Sequence, residues 1–302
     1  MGEPPLAARL AGVLLVLSGV AGAAGVFPTY LVVGGTEVSQ STGAGSALAG
    51  LLAPLAAVAV GGGLAVGRVP RFGLAFAAIS GALSCGLLLI ELYRASTSTV
   101  RPGVEVIAGQ RVLTSSVDVG PGWVLGVLAL GLTVLAGALA AGAWGRTVME
   151  DVGALDPARP ALAGVAALLG VGAVLCLVVP AADVPDRIVT DPMTGLQVVV
   201  EQEGPQGLLE RPGLALLGGL LLAGGVALCS VLAPSLRPRL AAVGALLAVA
   251  VVVLTAGLAG LRDAVVSDEL EWTLPGVGLL LAGVGYAGLT VLAWRLRRAP
   301  DR

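Results

Sequence analysis

Residues 102–123 read PGVEVIAGQRVLTSSVDVGPGW, the most polar long stretch in a chain otherwise written in Leu, Ala, Val and Gly. VEVI and RVLTSSVDV alternate apolar and polar residues about a central AGQ. That is the two-residue period of a half-buried strand, and Gly109 suits a tight turn between them. Apolar runs at 72–92 and 122–144 flank the stretch on both sides. About 20 helical residues rise ~30 Å, the thickness of a bilayer's hydrocarbon core. A strand edge cannot be solvated inside lipid. The hairpin is therefore expected in water, at a membrane surface, between two spanning helices.

The rest of the chain follows the same division. Of 302 residues 57% are hydrophobic and 12% charged, with a mean hydropathy of +0.97, whereas soluble domains carry about 25% charged residues. Eight windows are long and apolar enough to span: 10–27, 45–67, 72–92, 122–144, 161–180, 213–234, 240–261 and 275–296. The expected fold class is an all-α integral membrane protein with eight transmembrane helices.

Basic residues orient the helices. All 17 are Arg. With the N-terminus inside, 11 fall on the cytoplasmic side and 6 (Arg94, Arg101, Arg111, Arg187, Arg211 and Arg262) outside. The short loops RVPR (68–71) and LRPR (236–239) weigh most, because the positive-inside bias is read on short loops. Both termini are expected in the cytoplasm, and a bacterial cytoplasmic membrane is the expected location. The first apolar run also has the small residues of a cleaved signal peptide, but the repeat described next needs this helix.

LAGV at 10–13 recurs at 162–165, and Pro28 matches Pro180 at the same shift of 152. Arg71 of RVPR matches Arg239 of LRPR, and Arg94 matches Arg262, both at a shift of 168. Pro121-Gly122 matches Pro275-Gly276 at 154. The shift changes only in outer loops, where insertions are tolerated. These matches predict a tandem 4+4 repeat. Residues 1–150 form the first half, with an outer hairpin at 102–117, and residues 151–302 the second, with an outer hairpin at 187–202. The linker is GRTVMEDVGALDPARP (145–160). Trp123 and Trp144 bracket the fourth helix, Trp272 and Trp294 the eighth. Tryptophan favours the headgroup region, so all four are expected as interface anchors.

In the hairpin at 187–202, RIVTDPMTGLQVVVEQ, Asp191-Pro192 can start a turn and Gly195 can close it. A third, TYLVVGGTEVSQ (29–40), turns at Gly34-Gly35, and the last outer loop, DAVVSDELEWT (263–273), is acidic. Three or more strands sharing an apolar face persist where a lone hairpin does not. The strands are expected to join into a small extracytoplasmic β-cap.

The chain has no His, which excludes Ser-His and Cys-His catalysis, histidine-ligated haem and the common zinc sites. Cys85, Cys176 and Cys229 lie in three different apolar segments without CxxC spacing, as packing residues do. No Lys is present to complete a phosphate-binding P-loop. GxxxG spacing at Gly63–Gly67 and Gly122–Gly126 would allow close helix contact. Intramembrane charge marks transport paths, and it is nearly absent. Glu91 and Arg94 have i, i+3 spacing at the outer end of the third helix, which suits an ion pair. In the second half Arg262 is followed directly by Asp263, and the position matching Glu91 is apolar. These four are the candidate polar pairs at the outer membrane face, with Tyr286 a further candidate for a polar path.

The first functional expectation is a non-enzymatic accessory or scaffold subunit that presents its β-cap to an envelope partner through the outer loops. The alternative is a small transporter or channel with a lipid-like or apolar cargo path between the repeats. An intramembrane enzyme would have to run on Glu91 and outer-loop acids alone. The lipid bilayer is the one general partner implied; no nucleic acid, cofactor, metal or catalytic residue is expected.

Overall fold

A computed structural model of the chain describes residues 5–96, 99–101, 104–147, 155, 157–190, 197–200, 205–208, 210–267 and 269–296. Eight α-helices dominate it: α1 (Leu6–Gly25), α2 (Ala44–Ala65), α3 (Pro70–Arg94), α4 (Pro121–Trp144), α5 (Arg159–Val178), α6 (Gly213–Leu232), α7 (Arg239–Val266) and α8 (Leu274–Leu296). All eight are long and apolar enough to cross a membrane. Each overlaps one of the apolar windows, with ends displaced by only a few residues. Proline opens several of them, as Pro70 does α3 and Pro121 does α4; its missing N–H is one that a first helical turn leaves unbonded anyway.

α1 packs along α2 and α4, and α4 also along α3. Among the last four helices α5 packs along α6 and α8, and α8 also along α7. The two sets meet where α3 lies against α6 and α7, and where α2 reaches α7. α3 and α7 are accordingly the most enclosed helices, while α1, α2, α4 and α5 keep most of their surface outside. Leu168, Leu175, Leu228 and Leu281 project from α5, α6 and α8 with at least 64% of their surface exposed. Such leucines suit lipid, which solvates apolar side chains while the helix bonds its own backbone.

Small residues set the closest crossings. A side chain on Gly86 of α3 would stand 2.5 Å from the Gly218 carbonyl oxygen of α6. One on Gly81 would stand 2.7 Å from the Gly137 Cα of α4. Of the two GxxxG pairs, Gly67 lies beyond the end of α2 with φ +77°, whereas Gly122 of α4 does pack closely on the Gly25 carbonyl at the end of α1, beside those of Pro28 and Thr29.

All described strands come from four loops, those joining α1 to α2, α3 to α4, α5 to α6 and α7 to α8. They are β1 (Thr29–Val33), β2 (Thr36–Ser39), β3 (Val104–Ile107), β4 (Gln110–Leu113), β5 (Val117–Val119), β6 (Ala182–Asp183), β7 (Arg187–Thr190), β8 (Gln197–Val200) and β9 (Glu271–Trp272). β1 and β2 turn at Gly34-Gly35, with φ of +56° and +80°. β3 and β4 turn at Ala108-Gly109, with φ of +52° and +81°. Two successive positive φ values give a turn whose twist matches that of the strands. β7 pairs antiparallel with β8; the turn expected at Asp191-Pro192 and Gly195 lies outside the described residues, as does half of the 145–160 linker.

The strands of the expected cap do not join into one continuous sheet. The strands form four separate sheets, ordered β2-β1-β5, β3-β4, β6-β9 and β7-β8. RVLTSSVDV is not one strand: it breaks after Leu113, and β5 crosses to pair with β1, placing Val117 opposite Val33. Side chains join the sheets instead. Ile107 and Val112 pack with Tyr30, Leu31, Val33 and Val38. Val106, which a strand directs to the opposite face from Ile107, packs with Ala182, Val184 and Leu270. Arg111 and Glu269 add an ion pair at 3.8 Å.

Candidate functional site

The last turn of α3 carries the chain's most elaborate polar cluster. Its i, i+3 geometry brings Arg94 Nη1 to 3.2 Å from Glu91 Oε2. Tyr30, buried on β1, donates its hydroxyl proton to Glu91 Oε1. Arg94 Nη1 also reaches the Tyr30 oxygen at 3.3 Å, and Trp123 Nε1 donates to the Glu91 carbonyl at 2.9 Å. Burial is the main force holding the Tyr30 phenol well above its usual range, with the Glu91 carboxylate acting the same way and the Arg94 charge opposing. The phenol therefore stays protonated and remains a donor.

A second layer lies beyond it. Arg101, with its side chain fully enclosed, forms a two-pronged pair with Glu105 and donates to the Arg94 carbonyl. Its guanidinium lies 5.8 Å from the centre of the Tyr93 ring. On α7, Arg262 donates through Nε and Nη2 to Asp263 Oδ1 at 2.9 and 2.7 Å. Both polar pairs read from sequence are thus formed, and they share one space.

That space is a partly open cavity of about 460 Å³ at the strand-bearing ends of α3 and α7. Small-molecule sites typically measure ~300–1,000 Å³. Helices of both halves line it. Leu87 and Ile90 of α3, Leu222 and Val226 of α6, Val253 of α7 and Leu279 of α8 make its walls apolar. Glu91, Arg94, Arg211, Arg262 and Asp263 make one region charged. Among the described residues three guanidinium groups and two carboxylates line the cavity, which leaves one positive charge in excess. Arg94 keeps 42% of its side chain accessible against 11% for Glu91, so the cation of that pair is the group a ligand meets.

Arg211 supplies the excess. Residues 205–208, which precede it, return to the end of α5, where Leu208 N–H meets the Val178 carbonyl at 3.1 Å and Leu208 packs against Gly219 of α6. Arg211 Nε and Nη2 both donate to the Gln206 carbonyl at 3.3 Å. Its neighbour Glu210 turns to the Gly207 N–H at 2.8 Å and is not among the groups that line the cavity. Burial first, and the Arg94 charge second, push the Arg211 guanidinium down to about 10, against the pull of Glu105 and Tyr93. It is still a cation at neutral pH.

Sequence reading identified Glu91, Arg94, Arg262 and Asp263, but missed Tyr30, Arg101, Glu105 and Arg211. The i, i+4 spacing of Arg101 and Glu105 was a usable signal. Nothing local marks Arg211, whose place depends on a loop folding back across α6. Tyr286 does not line this space. Fully buried, it donates to the Ala166 carbonyl at 2.9 Å and meets Ser230 Oγ at 2.5 Å, tying α8 to α5 and α6. Besides Trp123, Trp144 has a specific partner: its carbonyl accepts from Arg71 Nη1 at 3.1 Å, with the guanidinium 5.2 Å from its ring centre, whereas the Trp272 indole N–H is buried without a hydrogen-bond partner among the described residues. Trp272 sits on β9, and Trp294 in the last turns of α8.

Comparison with protein-family models, with curated proteins and with solved structures finds no match.

Proposed function

We propose that this chain is a non-enzymatic multi-pass membrane protein that takes a lipid-like molecule into a cavity between two duplicated halves. One observation carries the reading: a cavity of about 460 Å³ has apolar walls from helices of both halves and charge gathered at one end. A path for a polar solute would need polar walls along the helices, and below the charged groups the helix residues that line this cavity are Leu, Ile, Val, Ala and Gly, with Thr255 the exception. Lipid-like cargo, first suggested by the near absence of intramembrane charge, fits them.

Duplication is supported by parallel packing. α1 relates to α2 and α4 as α5 does to α6 and α8. The strand after α1 pairs with the strand before α4, and the strand after α5 pairs with the strand before α8. Gly122 packs on the Thr29 carbonyl and its counterpart Gly276 on the Ala181 carbonyl, two positions related by the shift of 152. Ala259, matching Glu91 at the shift of 168, lines the same cavity. In this reading the Arg-bearing turns face the cytoplasm, so the strands and the cavity face outward.

Vesicles containing the chain and a fluorescent single-chain lipid provide the test. The chain should accelerate movement of the probe between leaflets, and Ala256→Phe, which fills the cavity, should abolish the acceleration. Exchange at the protein-free rate would defeat the reading.

The accessory-subunit reading keeps one observation of its own. β4 has a free edge in its two-stranded sheet, and Leu113 at its end is 61% exposed. A partner adding a strand there would co-purify with the native chain in mild detergent and be lost on Leu113→Glu.

A further inference from the structure

We infer that the cavity selects an anionic amphiphile, its carboxylate or phosphate held by Arg211 and Arg94 and its chain laid against Leu87, Ile90, Leu222 and Val226. This deepens the lipid-like reading above by assigning the headgroup.

Arg262 is neutralised by the adjacent Asp263, and Arg101 by Glu105. Arg94 shares Glu91 with Tyr30, and 42% of its side chain stays accessible. Arg211 hydrogen-bonds the neutral Gln206 carbonyl, and the one carboxylate that pulls on it, Glu105, is already paired with Arg101. Arg94 and Arg211 line both the main cavity and a side recess of about 70 Å³, so they stand together where the two spaces adjoin. With Glu91 paired to Arg94 and Glu105 to Arg101, one positive charge is left over for a further anion. The penalty on Arg211, set by burial and the nearby Arg94, is present throughout the pH range below about 10 and is relieved when an anion arrives. Guanidinium groups offer paired N–H donors that match carboxylate and phosphate oxygens.

The walls decide against a simple inorganic anion. Leaving leucine, isoleucine and valine facing water forfeits ~25 cal/mol for every Å² of apolar surface. An acyl chain attached to the headgroup recovers that term, and inorganic phosphate does not.

The full chain in lipid nanodiscs would be titrated with radiolabelled decyl phosphate, with empty nanodiscs subtracted. Neutral decyl maltoside and inorganic phosphate would serve as competitors. Decyl phosphate should bind and be displaced poorly by either competitor. Arg211→Gln should weaken it about tenfold, as loss of a charged hydrogen-bonding partner does, with an unchanged unfolding temperature showing that the variant is folded. Arg211→Lys should recover part of the loss. Affinity within twofold of native in Arg211→Gln would overturn the headgroup assignment. So would equal binding of decyl maltoside; blocked by Ala256→Phe, that result would leave the lipid-like reading standing. Inorganic phosphate binding as tightly as decyl phosphate would overturn the amphiphile assignment. Selective decyl phosphate binding without lipid movement would uphold this inference and defeat only the transport reading.

Discussion

Glu91 illustrates how one side chain can do structural work inside a functional space. Its carboxylate accepts from Tyr30 and from Arg94, while its carbonyl accepts from Trp123. A strand, the end of α3 and the start of α4 are thereby fastened together. Tyr30→Phe leaves a buried carboxylate short of a donor, and hydrogen bonds to charged groups contribute ~1.5–3 kcal/mol. The variant should lose stability in that range, measured by thermal unfolding in detergent, while amphiphile binding persists. Arg211→Gln should do the reverse, weakening anion binding at little cost in stability, because the hydrogen bonds it loses go to one neutral carbonyl, that of Gln206. The four charged candidates could be read from sequence because their partners are one or three residues away. Arg211 and Tyr30 could not, since their partners arrive through tertiary folding.

Among the elements, the helices were legible and the sheets only in part. Runs of about twenty apolar residues specify spanning helices almost without regard to context. The turns at Gly34-Gly35 and Ala108-Gly109 were marked by glycine at positions of positive φ. What the local pattern did not contain was pairing: β5 leaves its own hairpin for β1, a choice made by distant chain. Close helix crossings were equally hidden, because 46 glycines give many candidate pairs and only packing selects Gly86 with Gly218. Two glycine contrasts follow. Gly86→Val should force α3 from α6 and cost ~1–3 kcal/mol through overpacking; amphiphile binding should fall with it, since both helices line the cavity. Gly109→Ala should destabilise more than Gly35→Ala. Both positions have φ near +80°, but a side chain at 109 meets the Asp263 backbone at 3.1 Å, and one at 35 meets nothing within 4 Å. Matched unfolding curves of the two variants give the comparison.

For the whole molecule, the arrangement places two central helices, α3 and α7, between flanking sets that face lipid. The strands lie over their ends, held to one another by side chains such as Val106 and Ile107 rather than by one continuous sheet. Separate sheets can shift relative to one another without breaking a hydrogen-bonded ladder, which suits a lid above a cavity better than a fused cap would. On the reading proposed above, this cavity faces outward and holds a lipid-like molecule. The most direct test of that reading is cysteine labelling of Ala259→Cys in a chain whose Cys85, Cys176 and Cys229 are replaced by Ala. In sealed vesicles of known orientation, a membrane-impermeant maleimide should label residue 259 from the extracytoplasmic side, and decyl phosphate should protect it. Labelling only from the cytoplasmic side, or labelling that the amphiphile leaves unchanged, would contradict the account.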